Sequence, residues 1–323
     1  MMKPFPSVCW NFHGVGFRAA SDIPLPSDLL FALRRHLSTL EDIAHPVEMT
    51  LVNEPLPPCA MENGVAILMK YDEILRGRCS VDQYWLQLGA GGVQGSTEQG
   101  IMRVFAPSSL WLCSPTVCRA LIPLALTFHL ARKNLFYAHA AALRDPQGRG
   151  WLFTGSHGAG KSTTAYALLN QGWQLMSDDD VLLHKKGSDV ICLPFTDEFR
   201  LARAATEWFS NIEWVRPPTE TIRKGIVDTN DACRIAEVRP ERWVHLVVGT
   251  HKGARKQSVV NDAKGGATYL QGIVEDSPMI FVTGGRNHLD ALTTLLGQCD
   301  RRCLTPGHDL LHNPTRVLEV VFN

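Results

Sequence analysis

Apolar and polar positions follow two rhythms along this 323-residue chain, and the change of rhythm divides it. Up to about residue 115, short apolar stretches alternate with turns and read as strands: SVCWNFHGVGFRAA, VEMTLVN (Val47 to Asn53), GVAILMKY (Gly64 to Tyr71), DQYWLQL (Asp82 to Leu88) and IMRVFAP (Ile101 to Pro107). Only LPSDLLFALRRHLSTL (Leu25 to Leu40) has helical spacing there, with Ser27 or Asp28 available as its cap. From PTVCRALIPLALTFHLARKN (Pro115 to Asn134), which reads as a buried helix, the pattern becomes strand, helix, strand. FYAHAAAL, the turn RDPQGRG, WLFT (Trp151 to Thr154), the helix former STTAYALLNQG (Ser162 to Gly172) and WQLMSDDDVLL follow in turn. VICLPF and WVHLVVGT (Trp243 to Thr250) are expected to join the same sheet. The predicted fold class is α/β, with a mostly β N-terminal subdomain over 1–115 and an α/β catalytic domain over 116–323.

Between the last two of these strands lies SNIEWVRPPTETIRKG (Ser210 to Gly225), and after them comes the basic, glycine-rich KGARKQSVVNDAKGG (Lys252 to Gly266). Both read as loops, each more often simply solvated than a lid or substrate contact.

The connection between WLFT and its helix carries the chemistry. GSHGAGKS (Gly155 to Ser162) matches G-x-x-x-x-G-K-[ST] in full, in the strand, loop and helix context that a phosphate-binding loop requires. Glycines let the backbone approach an anion closely, so that successive N–H groups and the helix N-terminus face phosphate. Gly155, Ser156, His157, Gly158, Ala159, Gly160, Lys161, Ser162 and Thr163 are the expected nucleotide-binding residues. Lys161 would place a charge near the β- and γ-phosphates, and the Ser162 hydroxyl would be a ligand for Mg²⁺. The bland alternative, a glycine-rich turn that binds nothing, leaves Lys161–Ser162 without a purpose.

Composition narrows the partners. Lys plus Arg equals Asp plus Glu at 32 each, so no global field draws the chain to nucleic acid or an anionic membrane. The most apolar helix-like stretch, ALIPLALTF (Ala120 to Phe128), is too short to span a bilayer and contains proline. The N-terminus MMKPFPSVCWNF lacks the long apolar stretch of a signal peptide, and nine scattered cysteines fit a reducing compartment. A cytoplasmic enzyme is the resulting expectation.

A phosphoryl transferase also needs carboxylates to hold metal and orient the nucleophile. Ser177 to Asp180 read SDDD at the end of the strand WQLM, and carboxyl ends of strands in open α/β sheets face the ligand crevice. Asp178 and Asp179 are therefore expected in the site, with Asp180 facing solvent. His139 in YAHAAAL, the loop GSHGAGKS, the Asp178–Asp179 pair, and Glu198 with Arg200 in DEFR together resemble the C-terminal catalytic domain of HPr kinase/phosphorylase, over roughly residues 130 to 250. The resemblance implies a P-loop fold related to phosphoenolpyruvate carboxykinase and a kinase that uses ATP and Mg²⁺ to phosphorylate a serine hydroxyl. It implies that Lys161 and Ser162 hold phosphates and metal and that Asp178 assists at the metal or the nucleophile. Asp179 becomes the general base, His139 the neighbour that tunes it, Glu198 a second metal-side carboxylate and Arg200 its charge partner. After DEFR the chain continues LARAATEW, without the glycine-rich continuation associated with the reverse, phosphorolytic reaction. The N-terminal half also departs from the regulatory domain of those enzymes. It looks closer to divergent HPr-kinase-like proteins of peptide-modifying pathways, in which it would be a peptide-docking or scaffold element.

The expected acceptor is thus a serine on a peptide or protein, with a small molecule such as free serine as the alternative. A nucleotide-binding regulatory module without turnover is a third reading, and homo-oligomerisation is left open. Cys299, Cys303, His308 and His312 have a superficial zinc spacing, but the preceding LDALTTLLGQC reads as an ordinary amphipathic helix. Eight dispersed tryptophans read as packing, with Trp214 the one placed in a loop where stacking on a ligand is conceivable.

Overall fold

The computed structural model describes residues 7–21, 23–39, 43–70, 74–114, 116–220, 222–229, 233–248, 257–261, 269–270, 273 and 285–322. The chain is mixed α/β and forms two compact units, Met1–Phe136 with Phe281–Gly285, and Tyr137–Ile280 with Arg286–Asn323. The division falls after Phe136, so the helix expected to open the second domain belongs to the first unit.

The first unit is built on one nine-stranded sheet: β1 (Val8–Phe12), β2 (Val15–Ser21), β3 (Leu37–Ser38), β4 (Val47–Val52), β5 (Val65–Lys70), β6 (Ile74–Cys79), β7 (Gln83–Leu88), β8 (Gly91–Ser96) and β9 (Ile101–Phe105). Their order is β3-β1-β2-β4-β9-β8-β7-β6-β5. Strict alternation in β6 and β7 turns Leu75, Cys79, Tyr84, Leu86 and Leu88 to the buried face. The helix Ile122–Ala131 is buried on every side, and Tyr84 stacks on its Phe128 at 4.5 Å and bonds its His129 Nε2 at 2.9 Å. This helix starts later than expected, because Pro123 has no N–H to offer the preceding turn, and Val117–Leu121 forms a wider π-helical turn ahead of it.

The predicted 25–40 helix also shortens, to Ser27–Ala32 followed by a 3₁₀ turn over Arg34–His36. His36 is buried and stacks on Phe12 at 4.2 Å, while Leu37 and Ser38 pair with Trp10 and Cys9, so sheet pairing captures residues that could have continued the helix. Pro26 occupies the cap position, and Ser27 and Asp28 lie inside the first turn.

The second unit takes up β10 (Leu135–His139) from Tyr137 on and contains β11 (Ala141–Arg144), β12 (Gly150–Thr154), β13 (Gln174–Ser177), β14 (Asp180–Lys186), β15 (Asp189–Pro194), β16 (Phe199–Ala202), β17 (Trp214–Arg216), β18 (Lys224–Val227), β19 (Pro240–Leu246), β20 (Val259–Asn261) and β21 (Asp300–Thr305). Three sheets result: β13-β11-β12-β19-β21-β20, β10-β14-β15 and β16-β18-β17. VICLPF and WVHLVVGT therefore lie in different sheets, β15 in the second and β19 in the first. The turn between β11 and β12 is closed by Asp145, whose carboxylate accepts from the amides of Gln147 and Arg149, from Arg149 Nε and from Trp151 Nε1.

Two segments that read as single strands change sheets in the same place. FYAHAAAL leaves β10 at His139 and re-enters as β11 at Ala141, and WQLMSDDDVLL leaves β13 at Ser177 and re-enters as β14 at Asp180. The Ala140 amide donates to the Asp179 carbonyl at 3.0 Å across this crossing point.

The segment 210–225 is not all loop, because Trp214–Arg216 pairs with β18, and Trp214 packs half-buried against the core of Phe153, Tyr166, Phe199 and Val227. Of the basic segment 252–266, only 257–261 is described, and it contributes β20; the rest of that expected loop, like Tyr71, Gly249 and Thr250, lies outside the described residues. Cys299 donates its thiol to the Pro240 carbonyl, Cys303 sits within β21, and His308 packs on Trp208, so each has a packing role. Among the described residues no helix is long and apolar enough to cross a membrane.

Candidate active site

The strand pairings put one set of ends together. β12, β19 and β21 run parallel, and β11 is antiparallel to both β12 and β13, so β13 runs in the direction of β12. The carboxyl ends of β12 and β13 and the amino end of β11 therefore lie at the same edge of the sheet, and the phosphate-loop motif, Asp178 and Asp179, and His139 all emerge there.

The five residues of β12 are buried and lead into the loop, with Thr154 Oγ1 accepting from Trp243 Nε1 at 2.8 Å. Gly155 has φ of 143°, and a Cβ there would come within 2.2 Å of the Leu246 carbonyl, so the loop begins pressed on the end of β19. Gly158 and Gly160 have φ of 83° and 98° with open space around them, and Gly160 caps the helix Lys161–Leu169. Ser156, His157 and Gly158 are exposed at the tip, while Ala159, Lys161 and Ser162 are buried and Thr163 is half-buried. Lys161 Nζ donates to the Gly155 carbonyl at 2.5 Å, which draws the ammonium back over the loop.

Asp178 is buried against the base of that helix. Its Oδ2 accepts from the Arg200 amide at 3.1 Å, and its Oδ1 has no hydrogen-bond partner. Burial pushes its carboxyl up and the charge of Asp179 adds to the rise; Lys224, the Arg200 amide and the neighbouring Ser162 hydroxyl pull it back, leaving it at about 6. Asp179 goes the other way. Desolvation opposes its charge, but His139, Lys224, Arg200 and Lys161 outweigh it and take the carboxyl down to about 2. His139 Nε2 lies 3.4 Å from Asp179 Oδ1. Burial pushes His139 down, yet Asp179 and Asp180 outweigh both that and the nearby Lys161, so its pKa rises.

No family model matches the chain. HPr kinase/phosphorylase of Chloroherpeton thalassium is 29% identical to it over 140 residues, 39% of this chain and 36% of that protein. Over that stretch the chain is similar to HPr kinase/phosphorylase. It spans 36% of the length of that curated relative. A solved HPr(Ser) kinase/phosphatase from Coxiella burnetii aligns with 57% of this chain and 94% of its own at 14% identity, with a TM-score of 0.29.

One residue near this candidate site, Lys224, was not singled out in the sequence, and another, Asp180, is placed differently from the expectation. Lys224 lies in a stretch read as a polar loop, but β18 brings it in. Arg200 pairs with Ile226 and Ala202 with Lys224, so Arg200 and Lys224 share a face of the third sheet, while Phe199, Leu201 and Val227 fill the core behind it. The Lys224 charge acts on Asp178, Asp179 and His157 together. Asp180, expected to face solvent, is half-buried and accepts from Tyr137 Oη at 2.6 Å and Thr196 Oγ1 at 3.3 Å. Lys224 lies in no spacing motif and is brought in by the pairing of distant strands, whereas Asp180 ends the SDDD run and is turned inward where β14 joins β10. Glu198 and Arg200 form a buried pair, with Arg200 Nε donating to Glu198 Oε2 at 2.5 Å and the Glu198 side chain 1% exposed.

Proposed function

We propose that the chain is an ATP- and Mg²⁺-dependent kinase with the P-loop fold of the HPr kinase and phosphoenolpyruvate carboxykinase type, transferring the γ-phosphate to a serine-type hydroxyl on a peptide or protein. The observation that carries this reading is Asp179, a carboxylate held at about 2 by the cations around it, standing beside a phosphate loop with His139 Nε2 3.4 Å from its Oδ1. The acceptor hydroxyl would hydrogen-bond to Asp179. Its oxygen would attack the γ-phosphorus, the bond from phosphorus to the bridging oxygen would break with its electron pair leaving on ADP, and the proton would pass to the Asp179 carboxylate. A carboxyl near 2 is a weak base, and a loose phosphoryl-transfer transition state asks little of one, so Asp179 serves first to orient the hydroxyl and later to take its proton.

The residues present fit a divalent cation. A buried carboxylate oxygen without a hydrogen-bond partner, Asp178 Oδ1, beside the Ser162 hydroxyl is the donor set a hard cation takes. Mg²⁺ bound by Ser162 and Asp178 would neutralise phosphate charge. Glu198, with one oxygen held by Arg200, would support that side of the site. The Gly155–Thr163 backbone would cradle the triphosphate, and Lys161 would leave the Gly155 carbonyl for the β- and γ-phosphates.

The test is mass-spectrometric detection of phosphate transfer from ATP and Mg²⁺ to serine-bearing peptides, protein acceptors in cell extract, and free serine. Transfer to a peptide or protein is expected, falling by about 100-fold or more in Asp179→Asn, which keeps nucleotide affinity, and in Lys161→Ala, which loses it. Transfer to free serine alone would replace the peptide acceptor by a metabolite. Tight ATP binding with no transfer to any acceptor would overturn the kinase reading in favour of a regulatory module.

A further inference from the structure

The third acid of the SDDD run has no part in the proposed chemistry, yet it is held more firmly than either neighbour. Asp180 opens β14, the strand beside β10, and both ends of the residue are pinned. Its carbonyl accepts from Ser177 Oγ at 2.7 Å and from the Phe195 amide at 3.3 Å. Its carboxylate takes the Tyr137 hydroxyl on Oδ1 at 2.6 Å and the Thr196 hydroxyl on Oδ2 at 3.3 Å. Tyr137 is in turn packed edge-on against Phe195.

Tyr137 and His139 are two apart on β10 and share a face, so the acid that receives the tyrosine also faces the histidine. Asp180 Oδ1 lies 3.9 Å from His139 Nδ1, while Asp179 Oδ1 lies 3.4 Å from Nε2. The imidazole thus sits between two carboxylates, one opposite each nitrogen. At 3.9 Å the Asp180 contact is an attraction between charges and not a hydrogen bond, and that is enough to select one ring orientation over its flip. His139, Asp179 and Asp180 also bring ligand atoms within 4.8 Å of one another, a spacing that a cation could bridge. Both oxygens of Asp180 already accept hydroxyls, which makes it an anchored support and not an open ligand.

We propose that Asp180, braced by Tyr137 and Thr196, is a positioning residue that sets the His139 ring so that Nε2 faces Asp179. Its catalytic consequence rests on the kinase reading; its structural consequence does not. Asp180→Ala removes the support, Asp180→Asn keeps an acceptor for Tyr137 but loses the charge, and Tyr137→Phe loosens the brace alone.

The experiment makes these three variants of the full chain, each also in a His139→Ala background. It measures kcat, KM and nucleotide affinity, together with the imidazole ¹⁵N signals of His139, identified by their loss in His139→Ala. Asp180→Ala is expected to lower kcat by about 10- to 100-fold with nucleotide affinity unchanged, Asp180→Asn and Tyr137→Phe to lower it less, and none to lower it further when His139 is already absent. The His139 nitrogen signals are expected to move in Asp180→Ala and Asp180→Asn. Equal losses in both backgrounds would overturn the proposal, as would unmoved signals. If the unaltered chain transfers phosphate to nothing, the kinase reading fails by itself, and the nitrogen signals still decide the role of Asp180. If Asp180→Ala does not fold, Asp180→Asn and Tyr137→Phe carry the same comparison.

Discussion

Asp178 and Asp179 are adjacent in sequence and opposite in ionisation, one held up near 6 by burial and its neighbour, the other taken down near 2 by the cations around it. Under the proposed kinase reading, that separation suits Asp178 to a metal and Asp179 to a hydroxyl. Lys224 is common to both environments and also acts on His157 at the loop tip, so its charge spans the place a transferring phosphoryl group would occupy. Lys224→Met is expected to slow transfer by about tenfold, one charge interaction of ~1.4 kcal/mol, with Lys224→Arg close to the unaltered chain. A steady-state assay of the three proteins checks it, and an unchanged rate in Lys224→Met would place the lysine outside the site. At this scale the legible residues were those in fixed spacing around the phosphate loop. Lys224 was not legible, because a residue brought in by cross-strand pairing leaves no mark in its own neighbourhood; Asp180 was visible in the SDDD run, but its hydroxyl partners Tyr137 and Thr196 were not.

Among the elements, the phosphate loop was the most legible and the strands beside it the least. The loop's sequence carries its own geometry, since positive φ at Gly155, Gly158 and Gly160 demands the residue found there. The three glycines are not equivalent. An added Cβ at Gly155 would strike the Leu246 carbonyl, whereas one at Gly158 would meet nothing. Gly155→Ala is therefore expected to destabilise the second unit by about 1–3 kcal/mol in overpacking added to backbone strain, and Gly158→Ala by strain alone, about 1 kcal/mol. Urea unfolding of the two variants measures the difference; equal losses would mean that the close approach to β19 is not retained in solution. The helix predicted over 25–40 shows the opposite case, where correct local spacing lost to tertiary pairing. His36 stacking on Phe12 and the short ladder of Leu37–Ser38 with β1 end it early. FYAHAAAL and WQLMSDDDVLL misled in a further way, because an apolar run shows where a strand is and not when it changes sheets.

Over the whole molecule, the first unit carries a pH sensitivity of its own. His129 is buried against Tyr84, and burial lowers its pKa from 6.5 to about 4. The folded unit holds this imidazole neutral while the unfolded chain protonates it below 6.5. The contribution is complete above 6.5 and is lost as pH falls from 6.5 to 4, about 3 kcal/mol across that window. Urea midpoints of the first unit are expected to fall over this range, and His129→Gln to flatten that part of the profile; an unchanged slope would mean His129 is solvated or charged when folded. The reach of the sequence is also uneven at this scale, since the phosphate loop and its acids could be read, while the nine-stranded sheet offered no cluster with chemistry and takes its order from long-range pairing. The crossing of two strands between sheets has one more consequence. Two separate lengths of backbone run through a single gap, tied by the Ala140 amide, so the sheets on either side cannot slide apart without stretching both covalent chains. The spacing of His139 from Asp179 is in that sense a property of chain connectivity, and it leaves the surrounding side chains room to diverge while the chemistry stays in place.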